Sequence, residues 1–207
     1  ENIMYYLTVM NEFYKMPPMP EGVEEGILKG IYKFRESSNK RKRYKAHLLG
    51  SGTILNEAVK AQELLEDEYD ISADVWSVTS YKELYNDAMD VERRNMLNPD
   101  KDREIPYIGQ VLEKESGIFV AASDYMKVLP ASIACWIPGP FTMLGTDGFG
   151  RSEDRAGLRD FFEVDYRYIA FAAISSMARE NKIKAGVVKK AVKDLNIDVN
   201  KTNPLFS

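Results

Sequence analysis

The sequence predicts an α/β fold, a three-layer α/β/α domain on a mixed, mostly parallel sheet of about five strands. From Tyr44 onward, short apolar runs alternate with amphipathic helical stretches. Strands separated by helices of this length pair in parallel through right-handed crossovers. With 44% hydrophobic residues among 207, the chain has enough apolar side chains for one ample core, which excludes disorder.

Residues 1–20 differ from the rest of the chain in composition. Met4–Met10 form a near-continuous apolar and aromatic run, which predicts a strand buried on both faces. The proline-rich stretch Lys15–Pro20 follows at once and cannot pair in a central sheet. We therefore expect residues 1–16 to hold the last strand of a preceding domain, and the chain to be the C-terminal piece of a longer protein.

Residues 17–43 are predicted to be a linker with a short helix. Glu21–Phe34 carries acids in its first turn and lysines late, an order that complements the helix dipole. Glu24 and Glu25 are expected on its solvated face. The basic run Lys40–Arg43 interrupts the pattern and indicates a solvated linker or hairpin turn.

Residues 44–207 form the predicted domain. Apolar runs and helical periodicity define its elements in order. The predicted strands are 46–49, 73–78, 118–122 and 141–144, and the predicted helices are 53–68, 81–93, 154–161, 165–180 and 185–195. The segment 95–106 is polar, contains two prolines and is predicted to be a loop.

The turn Gly50-Ser51-Gly52-Thr53 lies between the first of these strands and its helix. Glycines there let the backbone approach closely, and a helix N-terminus can attract an anion. The spaced glycines and lysine of nucleotide-binding loops are missing. We favour a tight turn in which Ser51 or Thr53 caps the helix, with an anion site as the alternative.

The stretch Asp147-Gly148-Phe149-Gly150-Arg151-Ser152 follows the last strand, at the carboxyl edge where open α/β sheets place ligands. An aromatic residue between two glycines has a high backbone-entropy cost. We expect an interface or anion-binding loop, with a structural turn as the alternative. Phe149 would be the apolar anchor, and Arg151 would pair with Asp147 or across the interface.

No active site can be assembled from the sequence. His47 lies within an apolar strand and Cys135 within an apolar stretch, and each is expected to be core or rim rather than catalytic. We find no Cys/His metal-ligand spacing, so we predict no catalytic, cofactor or metal residues. A net charge of −4 argues against nucleic acid, and no run of about 18 apolar residues could cross a membrane.

A series of strings runs along the whole chain: Tyr6–Glu12, Met19–Gly26, Glu25–Tyr32, Leu48–Gly52, Val75–Ser80, Glu92–Leu97, Ser123–Lys127, Leu144–Ser152 and Phe161–Asp165. Together they resemble the C-terminal end of the homodimeric pyruvate dehydrogenase decarboxylating component, a thiamine-diphosphate enzyme of the transketolase superfamily. Each is weak alone, but in this order along the whole chain they are specific.

The resemblance implies a three-domain parent subunit of which residues 44–207 are the transketolase-type C-terminal domain. Residues 1–16 would end the pyrimidine-binding domain. The parent would be a cytoplasmic homodimer of bacterial type that uses thiamine diphosphate and Mg²⁺ and passes an acyl group to the lipoyl acyltransferase of its complex. The family's diphosphate signature is absent from this sequence, so this part alone is expected to be inactive and to bind no cofactor.

Two departures concern substrate identity. Where the family commonly has Trp and His, this chain has Arg94 and Asn98, which hints at a sub-branch acting on another 2-oxo acid. Pro130 interrupts a segment that is helical in some relatives, so its helix is expected to start there, with Pro130 in the first turn. The alternatives are a stand-alone regulatory or anion-binding module and the C-terminal domain of a transketolase, the latter disfavoured by the Gly-Ser-Gly and Asp-Gly-Phe-Gly-Arg-Ser strings.

Overall fold

The sheet has five strands in the order β1-β3-β2-β4-β5, in a computed structural model that describes residues 2–9, 13–15, 17–38 and 44–207. The strands are β1 Ile31–Arg35, β2 Tyr44–Ser51, β3 Ile71–Val78, β4 Ile118–Ala122 and β5 Phe141–Leu144. β2 to β5 pair in parallel, and β1 alone is antiparallel, against β3. The predicted mixed, mostly parallel sheet is confirmed.

Helices cover both faces of the sheet and give the predicted three layers. They are α1 Glu24–Lys29, α2 Ile54–Glu68, α3 Tyr81–Leu97, α4 Tyr107–Leu112, α5 Val128–Ala131, α6 Arg155–Phe161, α7 Tyr166–Arg179 and α8 Ala185–Asp194. One apolar core joins the sheet to α2, α7 and α8, and the other joins it to α3 and α4. None of these helices is long and apolar enough to cross a bilayer.

The predicted helix over Glu21–Phe34 is wrong in its second half. α1 ends at Lys29 because Gly30 takes a left-handed conformation with φ 105° and its N–H bonds to the Gly26 carbonyl. A side chain at Gly30 would place Cβ 2.5 Å from the Ser80 carbonyl oxygen. The next five residues form β1, so the sheet begins before the predicted boundary at residue 44.

The predicted strand over Met4–Met10 does not form in the described part, residues 4–9. These residues adopt no regular structure, and Met4 is 99% exposed. An apolar strand needs neighbouring strands on both sides, and the described residues of this chain supply none there. The basic run Lys40–Arg43 lies outside the described residues.

The remaining differences are at element ends. α3 continues to Leu97, into the first residues of the predicted loop 95–106, and the short helix α4 follows that loop. α5 begins at Val128 and has Pro130 in its first turn, as expected. Asp154 and Asp165 cap α6 and α7 with their side chains, which confirms the predicted starts of both helices.

Candidate functional site

The loops that follow β2, β4 and β5 meet at the carboxyl edge of the sheet. The Ser51 hydroxyl donates to that of Ser123 (3.0 Å), and the Thr53 hydroxyl donates to a carboxylate oxygen of Asp124 (2.9 Å). A Cβ on Gly50 would lie 2.7 Å from the Leu55 Cα, so the backbone approaches closely at this turn. The predicted capping is wrong, because Thr53 makes no side-chain cap bond and Ser51 belongs to β2.

Arg159 of α6 contacts the turn after β2 through Thr53 and the start of α2 through Glu57. Its guanidinium donates to Thr53 Oγ1 (3.2 Å) and pairs with Glu57 Oε1 (3.3 Å). The second oxygen of Glu57 accepts the backbone N–H of Tyr166 (3.1 Å). The Arg159 side chain is 13% exposed and that of Glu57 is 5% exposed, so this is a buried ion pair that ties α2, α6 and α7 together.

The stretch Asp147–Ser152 is joined to the loop after β4. The Thr146 N–H donates to the Tyr125 carbonyl (3.0 Å), and the Lys127 N–H donates to Asp147 Oδ1 (2.9 Å). Gly148 has φ 96°, and a Cβ there would lie 2.4 Å from the Pro204 carbonyl oxygen. The loop is therefore fixed at its start by two neighbours.

The rest of this loop faces outward. Phe149 is 80% exposed, and the Arg151 guanidinium carbon lies 5.2 Å from the centre of the Phe161 ring. Asp147 lies beside Lys127, with 3.7 Å between Oδ2 and Nζ. Of the two partners expected for Arg151, Asp147 is thus engaged elsewhere, and an interface partner stays a prediction.

A cleft of about 360 Å³ opens between this loop and α6. Arginine side chains, polar groups and two glycines line it together with apolar residues of α6 and the segment after it. The polar residues and glycines of the lining are Asp124, Thr146, Gly148, Gly150, Arg151, Arg155 and Arg159. The lining thus combines three guanidinium groups with the Asp124 carboxylate, and the guanidinium of Arg159 is paired with Glu57.

A second polar group lies at the amino ends of the strands, on the opposite end of the sheet. His47 of β2 is fully buried and stacks on Phe119, with ring centres 4.6 Å apart. Its Nε2 lies 3.2 Å from the Ser116 carbonyl oxygen, and its Nδ1 accepts the Trp76 indole N–H (3.2 Å). Because a carbonyl can only accept, Nε2 carries the proton and the ring is neutral.

Charged side chains surround this ring. Asp74 Oδ2 lies 3.1 Å from Lys33 Nζ and 2.9 Å from Lys45 Nζ, and its other oxygen accepts the N–H of Ser37. Glu115 pairs with the same two lysines, at 2.5 Å and 3.2 Å. We call Lys33, Lys45, His47, Asp74 and Glu115 the amino-end cluster. Two cations and two anions balance within it.

The pKa values of the cluster follow from its burial and its pairs. Burial lowers the pKa of His47, and the bond to Ser116 and the nearby Glu115 only partly oppose this. Burial would raise the pKa of Asp74, but hydrogen bonds from Lys45 and Ser37 outweigh it and hold that pKa below its ordinary value. Burial would also raise the pKa of Glu115, but the hydrogen bonds from Lys33 and Lys45 outweigh it and lower that pKa.

His47, Asp74 and Glu115 place one ligand atom each within 4.8 Å of one another, as a metal site would require. The chemistry of the donors does not fit a metal. Both His47 nitrogens are engaged, and the carboxylates are neutralised by Lys33 and Lys45. The arrangement is a structural ion cluster, which agrees with the expectation that His47 belongs to the core.

Cys135 is exposed, so the core alternative for it is wrong and the rim alternative stands. Glu24 and Glu25 are exposed on α1 as expected. Sequence reasoning missed Asp74, Glu115, Glu57 and Arg159. One signal was available: a charged residue inside the buried run Ala73–Val78 requires a buried partner.

The five-strand order, the single antiparallel edge strand and the helices on both faces define a transketolase-type C-terminal domain. The sequence profile of the transketolase-like TK C-terminal domain matches residues 30–165. The chain belongs to this family.

Relatives with curated names extend the match over the whole chain. The pyruvate dehydrogenase E1 component of Buchnera aphidicola from Acyrthosiphon pisum is 48% identical over 208 residues, covering 100% of this chain and 23% of that protein. That of Escherichia coli K12 is 45% identical over 205 residues, covering 99% and 23%. The chain thus spans less than a quarter of these relatives' length.

Among solved structures, a transketolase from Pichia stipitis has a TM-score of 0.53 at 18% identity, over 80% of this chain and 20% of that one. A transketolase from Leishmania mexicana has a TM-score of 0.51 at 15% identity, over 78% and 20%. At these identities the likeness concerns the fold, and it confirms the predicted fold class.

Proposed function

We propose that the chain is the C-terminal domain of a pyruvate dehydrogenase E1 component. The parent would decarboxylate pyruvate oxidatively and transfer the acyl group to a lipoyl carrier. The observation that carries this is the 45–48% identity to such enzymes from one end of the chain to the other. The domain would support the architecture of the parent subunit rather than its chemistry.

The cofactor belongs, in this proposal, to the rest of the parent. Thiamine diphosphate needs Mg²⁺ held by oxygen ligands, and His47, Asp74 and Glu115 form the one metal-like group among the described residues. Lysines neutralise its carboxylates, so these residues do not fit the ion. We expect the chain alone to bind neither thiamine diphosphate nor Mg²⁺.

The partners follow from the same proposal. The parent would be a homodimer in the bacterial cytoplasm and would meet the lipoyl acyltransferase of its complex. Residues 1–16 would complete the sheet of the pyrimidine-binding domain. The exposed apolar side chains of residues 3–9 support this, because an apolar run of that length gains stability only when other strands cover it.

The test is an activity assay on the full-length gene product. With thiamine diphosphate and Mg²⁺, it should reduce an artificial electron acceptor in a pyruvate-dependent manner, and omission of either should abolish turnover. Other 2-oxo acids assayed in parallel identify the substrate, which Arg94 and Asn98 leave open. A full-length product that turns over none of them would refute the proposal.

A second candidate, a regulatory or anion-binding module, draws support from the three arginines of the cleft. Titration of the 207-residue chain with inorganic phosphate separates the two. Binding that the Arg151→Ala variant loses would favour the module. If titration with millimolar phosphate gives no heat of binding, the module is excluded and the E1 proposal is the one that stands.

A further inference from the structure

We propose that the carboxyl edge of the sheet is a docking face for the part of the parent subunit that lies upstream of this chain. This rests on the proposed function, because it requires a longer parent chain. The face consists of exposed apolar side chains on three segments: the loop after β4 with the start of α5, the loop after β5, and the C-terminal turn Pro204–Phe206. They are Tyr125, Met126, Val128, Phe149, Leu205 and Phe206.

These segments form one fixed surface. The loop after β5 is bonded to the loop after β4 through Thr146 and Asp147. At Gly148 the loop after β5 packs against the C-terminal turn. A Cβ added to Gly148 would lie only 2.4 Å from the Pro204 carbonyl oxygen. Positive φ at Gly148 and these bonds hold the shape in the absence of a partner. Preorganised surfaces of this kind lose little entropy on binding.

The exposure of this face is unusual for loops held so firmly. Phe149 and Phe206 are each 80% exposed, although both belong to segments that pack at their neighbouring residues. Several exposed apolar side chains on one rigid surface indicate an interaction site.

The N-terminal arm, of which residues 2–9 and 13–15 are described, indicates which part of the parent covers this face. The Tyr14 hydroxyl lies 3.4 Å from Arg159 Nη2, and its ring centre lies 5.6 Å from the guanidinium carbon. Arg159 also lines the cleft next to Gly148 and Gly150. The arm therefore reaches the domain beside the carboxyl edge. Polypeptide attached upstream is tethered at this edge, where its effective concentration is high.

Charge indicates the chemistry of the contact. No carboxylate of the described residues forms an ion pair with Arg151, which rests on the Phe161 ring at the rim of the cleft. An acidic side chain of the docked part would pair with this guanidinium, while apolar side chains cover Phe149. The occupant is thus an apolar surface with at least one carboxylate.

Hydrogen exchange tests the proposal on the full-length parent and the 207-residue chain, without substrate or cofactor. Amides of residues 145–151 should exchange at least about tenfold more slowly in the parent. The peptide around Met96, 70% exposed at the far end of α3, should exchange equally in both. Circular dichroism checks that the short chain is folded; if it is not, the two peptides are compared within the parent.

Matched variants extend the test. In the parent, Phe149→Ala should restore rapid exchange to residues 145–151 and lower the Tm by about 2–4 °C, whereas Met96→Ala should do neither. In the 207-residue chain both variants should leave the Tm unchanged. Equal effects of Phe149→Ala on the two proteins would make the loop a core turn and overturn the proposal.

Two further outcomes would also overturn it. Equal exchange of residues 145–151 in parent and short chain would mean that the face stays open. Protection that disappears when the parent dimer is diluted to monomers would identify a second copy as the occupant. A parent that protects this face but turns over no 2-oxo acid would refute the proposed function and leave the docking face intact.

Discussion

The two ends of the sheet use charge in opposite ways. At the amino end, Lys33, Lys45, Asp74 and Glu115 satisfy one another around a neutral His47, and Asp74 is almost fully buried. At the carboxyl edge, loops fixed by backbone bonds expose Phe149 and leave Arg151 on an aromatic ring. Both ends carry polar groups. The charges at the amino end are paired with one another within the described residues, whereas Phe149 and Arg151 at the carboxyl edge face solvent.

This contrast separates stability from function. The amino-end cluster has the residue types of a metal site, yet its lysines complete it, so its role is to hold β1, β2, β3 and the segment before β4 together. The carboxyl edge has no catalytic constellation among the described residues, yet its side chains face outward on a rigid frame. In this domain the group that resembles an active site is structural, and the exposed loop is the candidate for interaction.

Removing Asp74 should break the amino end most severely. Asp74→Ala leaves the partly exposed Lys33 and Lys45 with a single carboxylate and removes the buried acceptor of the Ser37 N–H, and we expect the free energy of unfolding to fall by about 3–5 kcal/mol. Urea denaturation measures it. Asp67→Ala, on the exposed side of α2, is the control and should change stability by less than about 0.5 kcal/mol. Similar losses in both variants would contradict the cluster's role.

Replacing His47 should weaken the same end and change its pH dependence. In His47→Leu, the Trp76 N–H and the Ser116 carbonyl lose their partners, at a cost of about 1–3 kcal/mol each. In the wild type the folded-state pKa of His47 is lowered, so the unfolded chain binds the proton more tightly. Stability is then complete above about pH 6.5 and declines as the pH falls through that value.

Unfolding measurements at pH 7, 6 and 5 test this, since His47 is the one histidine in the sequence. The variant should lose the decline in this window. Both proteins should lose stability again below about pH 4, where Asp74 and Glu115, whose pKa values are also lowered, take up protons. Parallel curves for the two proteins between pH 7 and 5 would assign the decline elsewhere.

At the carboxyl edge, Gly148→Ala should have a moderate effect. The left-handed φ and the close approach to the Pro204 carbonyl both oppose a side chain, and we expect a loss of about 1–3 kcal/mol with faster proteolysis of the C-terminal turn. Gly150→Ala is the matched control, because no atom lies within 4 Å of its added Cβ. Equal behaviour of the two alanines would show that the loop is not held at Gly148.

The smallest effect is expected for Met126→Ala. This side chain is 57% exposed on the docking face, so in the 207-residue chain its removal should change the free energy of unfolding by less than about 0.5 kcal/mol. Thermal or urea denaturation measures it. If the free energy of unfolding falls by more than about 1 kcal/mol, Met126 contributes to the packing of the isolated domain, which contradicts its assignment to an exposed docking face.

Much of the fold could be predicted because β2, β3 and β4 are short apolar runs bounded by turns, and their helices have clear periodicity. β1 could not, since Ile31 continues the helical spacing of Val23 and Ile27, and only pairing with β3 makes the following residues a strand. Gly30 was the available signal for a helix end.

Of the two polar regions, the sequence indicated the loop at the carboxyl edge but not the amino-end cluster. The loop Asp147–Ser152 stood out by its local composition, and the structure places it at the expected edge. The amino-end cluster depends on the register that sets His47 beside Asp74 and Phe119. That register is a property of the assembled sheet, so the partners of Asp74 could not be read from residues 33, 45 and 115 alone.

The strand order also determines how the chain behaves at high concentration. β1 and β5 are the edge strands, and an open edge is a template for adding another molecule's strand. β1 carries Lys33 and Arg35 with a register shift between them, and β5 has four residues and follows Pro140. Charge, irregularity and shortness discourage such growth at both edges, which protects the domain against aggregation through sheet extension.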